Sequence, residues 1–185
     1  MSTPVAVALV HYPIVDRRGD TVSTAVTNLD LHDIARTART YGVDRFYVIT
    51  PVVEQQTLVR RILAHWHEGH GAAYNPHRGE ALSLIRVVAS LDEALADWRS
   101  FAGPTAEPVL TGASRTDGIG VDACRALLDK IPLMLVFGTG WGLAPELFEC
   151  GWKVLEPIRG RGVYNHLPVR AAAAIILDRL LGTSA

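Results

Sequence analysis

Six short apolar runs, each followed by a segment of helical periodicity, constrain this chain more than any other feature. The run Val5–Val10 is continuously apolar and rich in valine, as expected of a strand buried on both faces. Further strands are predicted at 45–50, 84–89, 107–111, 133–137 and 152–156. The helix after the first strand starts at Asn28 or Asp30, either of which can cap it, and ends near Tyr41. Its residues Leu31, Ile34, Ala35, Ala38 and Tyr41 share one face, and Gly42 stands where a helix-ending glycine belongs. Other helices are predicted at 54–68, with Leu58, Ile62 and Leu63 inward, from Ser90 to about Phe101, within 117–130, at 145–150 and at 167–181. Ser90 and Glu93 have capping-box spacing. The segments 11–26 and 69–78 read as loops, and a loop as long as the first is often functional. Six strand–helix steps imply an α/β fold with a mostly parallel six-stranded sheet and helices on both faces.

With 185 residues, the chain reads as a single domain, 1–185. A net charge of −1 argues against a strongly basic nucleic-acid coat and leaves room for a local basic patch. Two distant cysteines, Cys124 and Cys150, suit a reducing compartment better than a disulfide framework. The first apolar run is too short to span a bilayer and has no basic segment before it. The expectation is a soluble, cytoplasmic chain with no membrane partner.

Such a sheet binds ligands in loops beyond the carboxyl ends of its strands, and two late loops stand out. The first carries Gly138, Gly140 and Gly142 at alternate positions, and the second runs from Pro157 to Pro168 with Arg159 and Arg161 around Gly160. Singly, such glycines serve tight turns. Their spacing is not the Gly-x-Gly-x-x-Gly of dinucleotide sites, and it comes late in the chain, which disfavours a nicotinamide enzyme. On the first helix, His32, Arg36 and Arg39 form a polar stripe beside the apolar one. His65, His67 and His70 tempt a metal assignment, but residues two apart do not share a helix face and no cysteine or carboxylate completes a set. No metal is expected, and a surface role suits these histidines better.

Three segments together resemble the SPOUT superfamily of S-adenosylmethionine-dependent RNA methyltransferases. They are Asn28-Leu-Asp-Leu-His-Asp-Ile-Ala-Arg-Thr-Ala-Arg-Thr-Tyr-Gly-Val43, Val136-Phe-Gly-Thr-Gly-Trp-Gly-Leu143 and Tyr164-Asn-His-Leu-Pro-Val-Arg-Ala-Ala-Ala-Ala174. In order and spacing they span most of the chain, and they look most like a small, stand-alone bacterial-type branch. The resemblance implies a C-terminal deep trefoil knot, a homodimer, and S-adenosylmethionine held bent in the knot. It makes Arg36 the leading catalytic candidate, with His32 and Asp33 beside it as possible proton acceptors. An arginine stays charged, so Arg36 suits holding or orienting the acceptor. The cofactor would lie against Leu110, Thr111 and Gly112; Phe137, Gly138, Thr139, Gly140, Trp141, Gly142 and Leu143; and Ile158, Arg159, Gly160, Tyr164, Asn165, His166 and Leu167. Arg159 and Arg161 also suit RNA phosphates, and Tyr164 and Asn165 a base.

The chain departs from the pattern at three points. Thr139-Gly140-Trp141-Gly142 stands where larger relatives often have a glutamate, His166 and Pro168 stand near an asparagine and a serine, and Asp30 replaces an asparagine. The expected activity is metal-free methyl transfer from S-adenosylmethionine to tRNA or rRNA. Two rivals stay open: a non-catalytic RNA-binding relative, and an α/β enzyme acting on a small nucleotide-like metabolite.

Overall fold

The computed structural model describes residues 2–183. Its main sheet is built from β1 (Val5–Val10), β4 (Arg45–Ile49), β5 (Ile85–Val88), β6 (Glu107–Leu110), β7 (Leu133–Gly138) and β8 (Lys153–Val154). The order across it is β5-β4-β1-β7-β6-β8, and every pairing is parallel. A two-stranded ribbon, β2 (Ile14–Val15) with β3 (Thr21–Val22), occupies part of the predicted first loop.

The central strands explain why their sequences are apolar without a break. In β1, Val5, Val7 and Leu9 enter one core layer, while Ala6, Ala8 and Val10 enter the other. Successive side chains on a strand point to opposite faces, so a strand covered on both sides has no polar position to spare. Strand β7 repeats this with Leu133, Leu135 and Phe137 against Met134 and Val136.

Helices α1 (Asn28–Thr40), α2 (Val53–His67), α6 (Val121–Leu128) and α8 (Val169–Leu181) contribute to the first core layer, and α5 (Leu91–Ala102) to the second. The cap of α1 is Thr27, not Asn28 or Asp30: its hydroxyl accepts from the Asp30 N–H and donates to the Asp30 carboxylate. Thr27 wins because only its side chain stands at the extended residue that precedes the first turn. The Ser90 cap and the helix-ending Gly42, at φ +72°, are as expected.

Three expectations need correction. The segment 69–78 is not a plain loop: it holds α3 (His70–Tyr74) and the start of α4 (Pro76–Leu82). Asn75 caps α4 by accepting from the Arg78 N–H, and Pro76 supplies a first turn that needs no donor. Leu58 is not inward but 44% exposed, and Val59 takes the core position, while Ile62 and Leu63 pack against the core as expected. The sixth strand is only two residues long.

The remaining short helix is α7 (Pro145–Phe148). Near the C-terminus the chain crosses itself closely. Beyond β8, Leu155 bridges Ile119, and a Cβ on Gly118 would stand 2.5 Å from the Glu156 nitrogen. Only glycine permits that approach. This crossing is consistent with the knotted SPOUT fold.

Candidate functional site

The strand order reverses between β1 and β7, so an open α/β sheet would bind its ligand there. In this chain the ribbon fills that crevice. The Val15 N–H donates to the Gly142 carbonyl, and the Trp141 N–H donates to the Val15 carbonyl. Gly140, at φ +58°, lies on the ribbon so closely that a Cβ would be 2.8 Å from the Ile14 side chain. Thr139 donates to the Val10 carbonyl and shares a hydrogen bond of 2.5 Å with Thr24. Thr24 in turn contacts Nδ1 of the wholly buried His11 at 3.0 Å. The glycine loop is thereby fixed from below, and its exposed Trp141 side chain meets the last loop on the other side.

Three loops meet on that side. The Asn165 amide donates to the Ala113 carbonyl at 2.8 Å, joining the last loop to the loop after β6. His166 stands edge-on to Trp141 at 6.2 Å and to Tyr164 at 5.3 Å, joining the last loop to the glycine loop. Trp141, Tyr164 and Leu167 are exposed apolar or aromatic groups at this junction. Among the described residues, none of the N–H groups from 158 to 167 donates to a backbone acceptor. The predicted residues are not all alike. Leu110 and Phe137 are core side chains, so only their backbones reach the junction, and Leu143 is buried under the ribbon.

Arg36, His32 and Asp33 lie elsewhere, on α1. No hydrogen bond or ion pair among the described residues joins Arg36 to the three loops. The link between α1 and the last loop is Arg170, at the start of α8, which lies 3.5 Å from Asp30 and 3.4 Å from Asp33. Arg39 is paired with Glu80. His32 is not part of an exposed stripe: it is nearly buried and packs edge-on against Trp66 at 5.4 Å. Burial, then the guanidiniums of Arg78 and Arg36, push its pKa down, while Asp33 opposes them. Its Nδ1 is buried without a partner.

Together with residues of α2 and α4, these α1 side chains line an open groove of about 700 Å³ that sequence reasoning missed. Its signal was present, because Leu58, Arg61, Ile62, His65 and Trp66 recur at one-face spacing on α2. The three histidines expected not to form a metal site diverge. His65 packs on Trp66, His67 meets the Gly79 carbonyl, and His70 stacks on Tyr74. Among the described residues no three His, Cys, Asp or Glu groups stand together as metal ligands. No described helix is long and apolar enough to cross a membrane.

A tRNA (guanine-N(1)-)-methyltransferase of Oleidesulfovibrio alaskensis is 43% identical over 175 residues, covering 95% of this chain but 41% of the relative. This chain thus spans about two fifths of that relative's length. An Aquifex aeolicus protein described only as uncharacterized is 38% identical, covering 95% of this chain and 87% of its own. Among solved structures, the SpoU methyltransferase AviRb of Streptomyces viridochromogenes, in complex with AdoMet, superimposes with a TM-score of 0.58 at 19% identity, covering 98% of this chain and 58% of that one. The A. aeolicus TrmH/SpoU tRNA modifying enzyme gives 0.58 at 18%, covering 98% and 75%. At such identities these structures establish the fold alone. The family described as SAM-dependent RNA methyltransferase matches residues 4–182, nearly the whole chain, and the protein belongs to that family.

Proposed function

We propose that residues 1–185 act as one α/β-knot methyltransferase domain that binds S-adenosylmethionine in the three C-terminal loops and methylates RNA. The observation that carries this is the meeting of the loops through Asn165, Ala113, Trp141 and His166. The junction suits the cofactor chemically. Unpaired N–H groups from 158 to 167 provide donors for an adenine edge or ribose, and Ile158, Leu167 and Trp141 provide apolar walls. When bound, the cofactor supplies an electrophilic methyl group on a sulfonium.

The chain's own residues then have distinct tasks. Asn165 and His166 hold the last loop over the site. Arg36 orients the acceptor, and positioning of this kind supplies much of the barrier reduction in a two-reactant displacement. Asp33 is engaged by Arg170, which leaves His32, held neutral, as the group suited to take a proton where the acceptor carries one. Arg36 is exposed and makes no bond to the loops of its own chain. This supports a homodimer in which α1 of one protomer faces the loops of the other. The activity of the longer relative makes tRNA the first RNA to try. The setting is the cytoplasm, where the free thiols of Cys124 and Cys150 stay reduced.

Calorimetric titration of S-adenosylmethionine and S-adenosylhomocysteine tests this directly. Micromolar binding, on the order of −8 kcal/mol, is expected, and Asn165→Ala should weaken it at least fivefold by releasing the last loop. A folded protein that binds neither compound would overturn the assignment.

A further inference from the structure

The groove between α1 and α2 has features that the cofactor site does not use. Its walls are two helix faces: His32, Asp33 and Arg36 follow one-face spacing on α1, as do Arg61, His65 and Trp66 on α2. Arg78 from α4 closes one end, with its guanidinium carbon 5.0 Å from the centre of the Trp66 ring. Three guanidiniums, on Arg36, Arg61 and Arg78, therefore face one open groove. Among the described residues none of them is ion-paired, while Arg39, Arg115, Arg125 and Arg170 all are. Among the described residues the one carboxylate lining the groove, Asp33, is engaged by Arg170. Nδ1 of His32 and Nε of Arg78 are buried there without hydrogen-bond partners.

We infer that this groove is an RNA-binding site, apart from the cofactor loops of its own protomer, that holds a single-stranded segment by its phosphates and one of its bases. The charge is uncompensated and positive, which suits a polyanion. Flat groups accompany it: a guanidinium laid on an indole is a surface on which a base can stack. The groove is open, and its volume of about 700 Å³ exceeds what a lone anion would fill. A second copy of the chain is the competing occupant. It would have to bring carboxylates to three guanidiniums that otherwise lose water without gaining partners. Arg36 belongs to this groove and is the residue assigned to the acceptor, so RNA seated here runs directly to it. The choice of RNA as the ligand rests on the methyltransferase assignment; the location and the charge do not.

The test uses the full chain and a fluorescein-labelled, mixed-sequence single-stranded RNA dodecamer, followed by anisotropy from 50 to 200 mM salt, with about 0.7 in logarithmic slope expected per phosphate contacted. Three contacts predict a slope of about −2. Arg61→Ala should lower the affinity at least threefold and flatten the slope by about 0.7, and Arg61→Glu should lower the affinity at least tenfold. Both variants should bind S-adenosylhomocysteine as the wild type does. Cross-linking with 5-iodouridine in the same RNA should label the tryptic peptide 62–78, which carries Trp66. Wild-type affinity in both variants, or cross-links confined to 157–168, would overturn the inference. So would sedimentation showing that Arg61→Glu dissociates a dimer, which would give the groove to a second copy. Absence of RNA binding beside normal S-adenosylhomocysteine binding would remove this groove and leave the cofactor assignment standing, whereas loss of cofactor binding alone would do the reverse.

Discussion

His11 shows how one side chain ties stability to pH. It is wholly buried at the end of β1 with its Nε2 unpartnered, and burial lowers its pKa from 6.5 to about 4 against an opposing pull from Asp30. In the folded chain it stays neutral through a range where the unfolded chain takes up a proton. Stability is therefore full above pH 6.5 and is lost as pH falls toward 4, by up to about 3 kcal/mol. Urea unfolding at pH 7 and pH 5 should show the wild type losing more stability than His11→Gln, although the variant starts weaker. Equal losses would place the acid sensitivity elsewhere. Arg36 makes the contrasting prediction. Exposed and unpaired, it carries little of the fold, so Arg36→Ala should melt within about 1 kcal/mol of the wild type. Its methyl transfer to RNA should fall by 100-fold or more, about 3 kcal/mol of barrier, with unchanged S-adenosylhomocysteine affinity. Turnover at the wild-type rate would remove Arg36 from the site.

At the scale of elements, the crossing at Gly118 is the most exacting contact. A methyl group there would meet the backbone of Leu155 and Glu156, which no rotamer change can relieve. Gly118→Ala should cost about 1–3 kcal/mol, read as a lower urea midpoint with an unchanged slope. Elements of this kind also mark where sequence reasoning stops. Strands β1, β4 and β7 were legible because two-sided burial leaves an unbroken apolar run, and Ser90 and Gly42 because capping is local. Helices α3 and α4 were not. Their segment, 69–82, carries three glycines and two histidines, and it folds because Gly71 and Gly79 lie tightly against Trp66, a tertiary fact with no local pattern. The three loops that meet at Asn165 and His166 could be singled out by their glycines and by resemblance. The ribbon beneath them could not, since β2 and β3 are two residues each and exist only where Gly140 and Gly142 receive them. The hydroxyl of Thr139 bonds to the Val10 carbonyl and to Thr24, a pairing with distant segments that no local pattern announces.

For the whole molecule, the sheet order sets the order of events in folding. Central strand β1 pairs with β4, about forty residues on, and with β7, where Val5 meets Leu133. A core closed by contacts so distant in sequence folds slowly. Refolding from urea should be slower than milliseconds, and Leu135→Ala, which truncates a buried β7 side chain, should destabilise by about 2–5 kcal/mol. The last loop stands outside this network of backbone pairing. It is clipped at one end where Glu156 bonds to Ile119 and at the other where Arg170 meets Asp30 and Asp33, yet among the described residues its amides from 158 to 167 find no backbone acceptor. In deuterated solvent those ten amides should exchange near the rate of an unfolded peptide, while the amides of β1 and β7 wait for global opening. An occupant that accepts from them would be recorded as protection confined to this stretch, a footprint that any unlabelled compound would leave, whatever its chemistry.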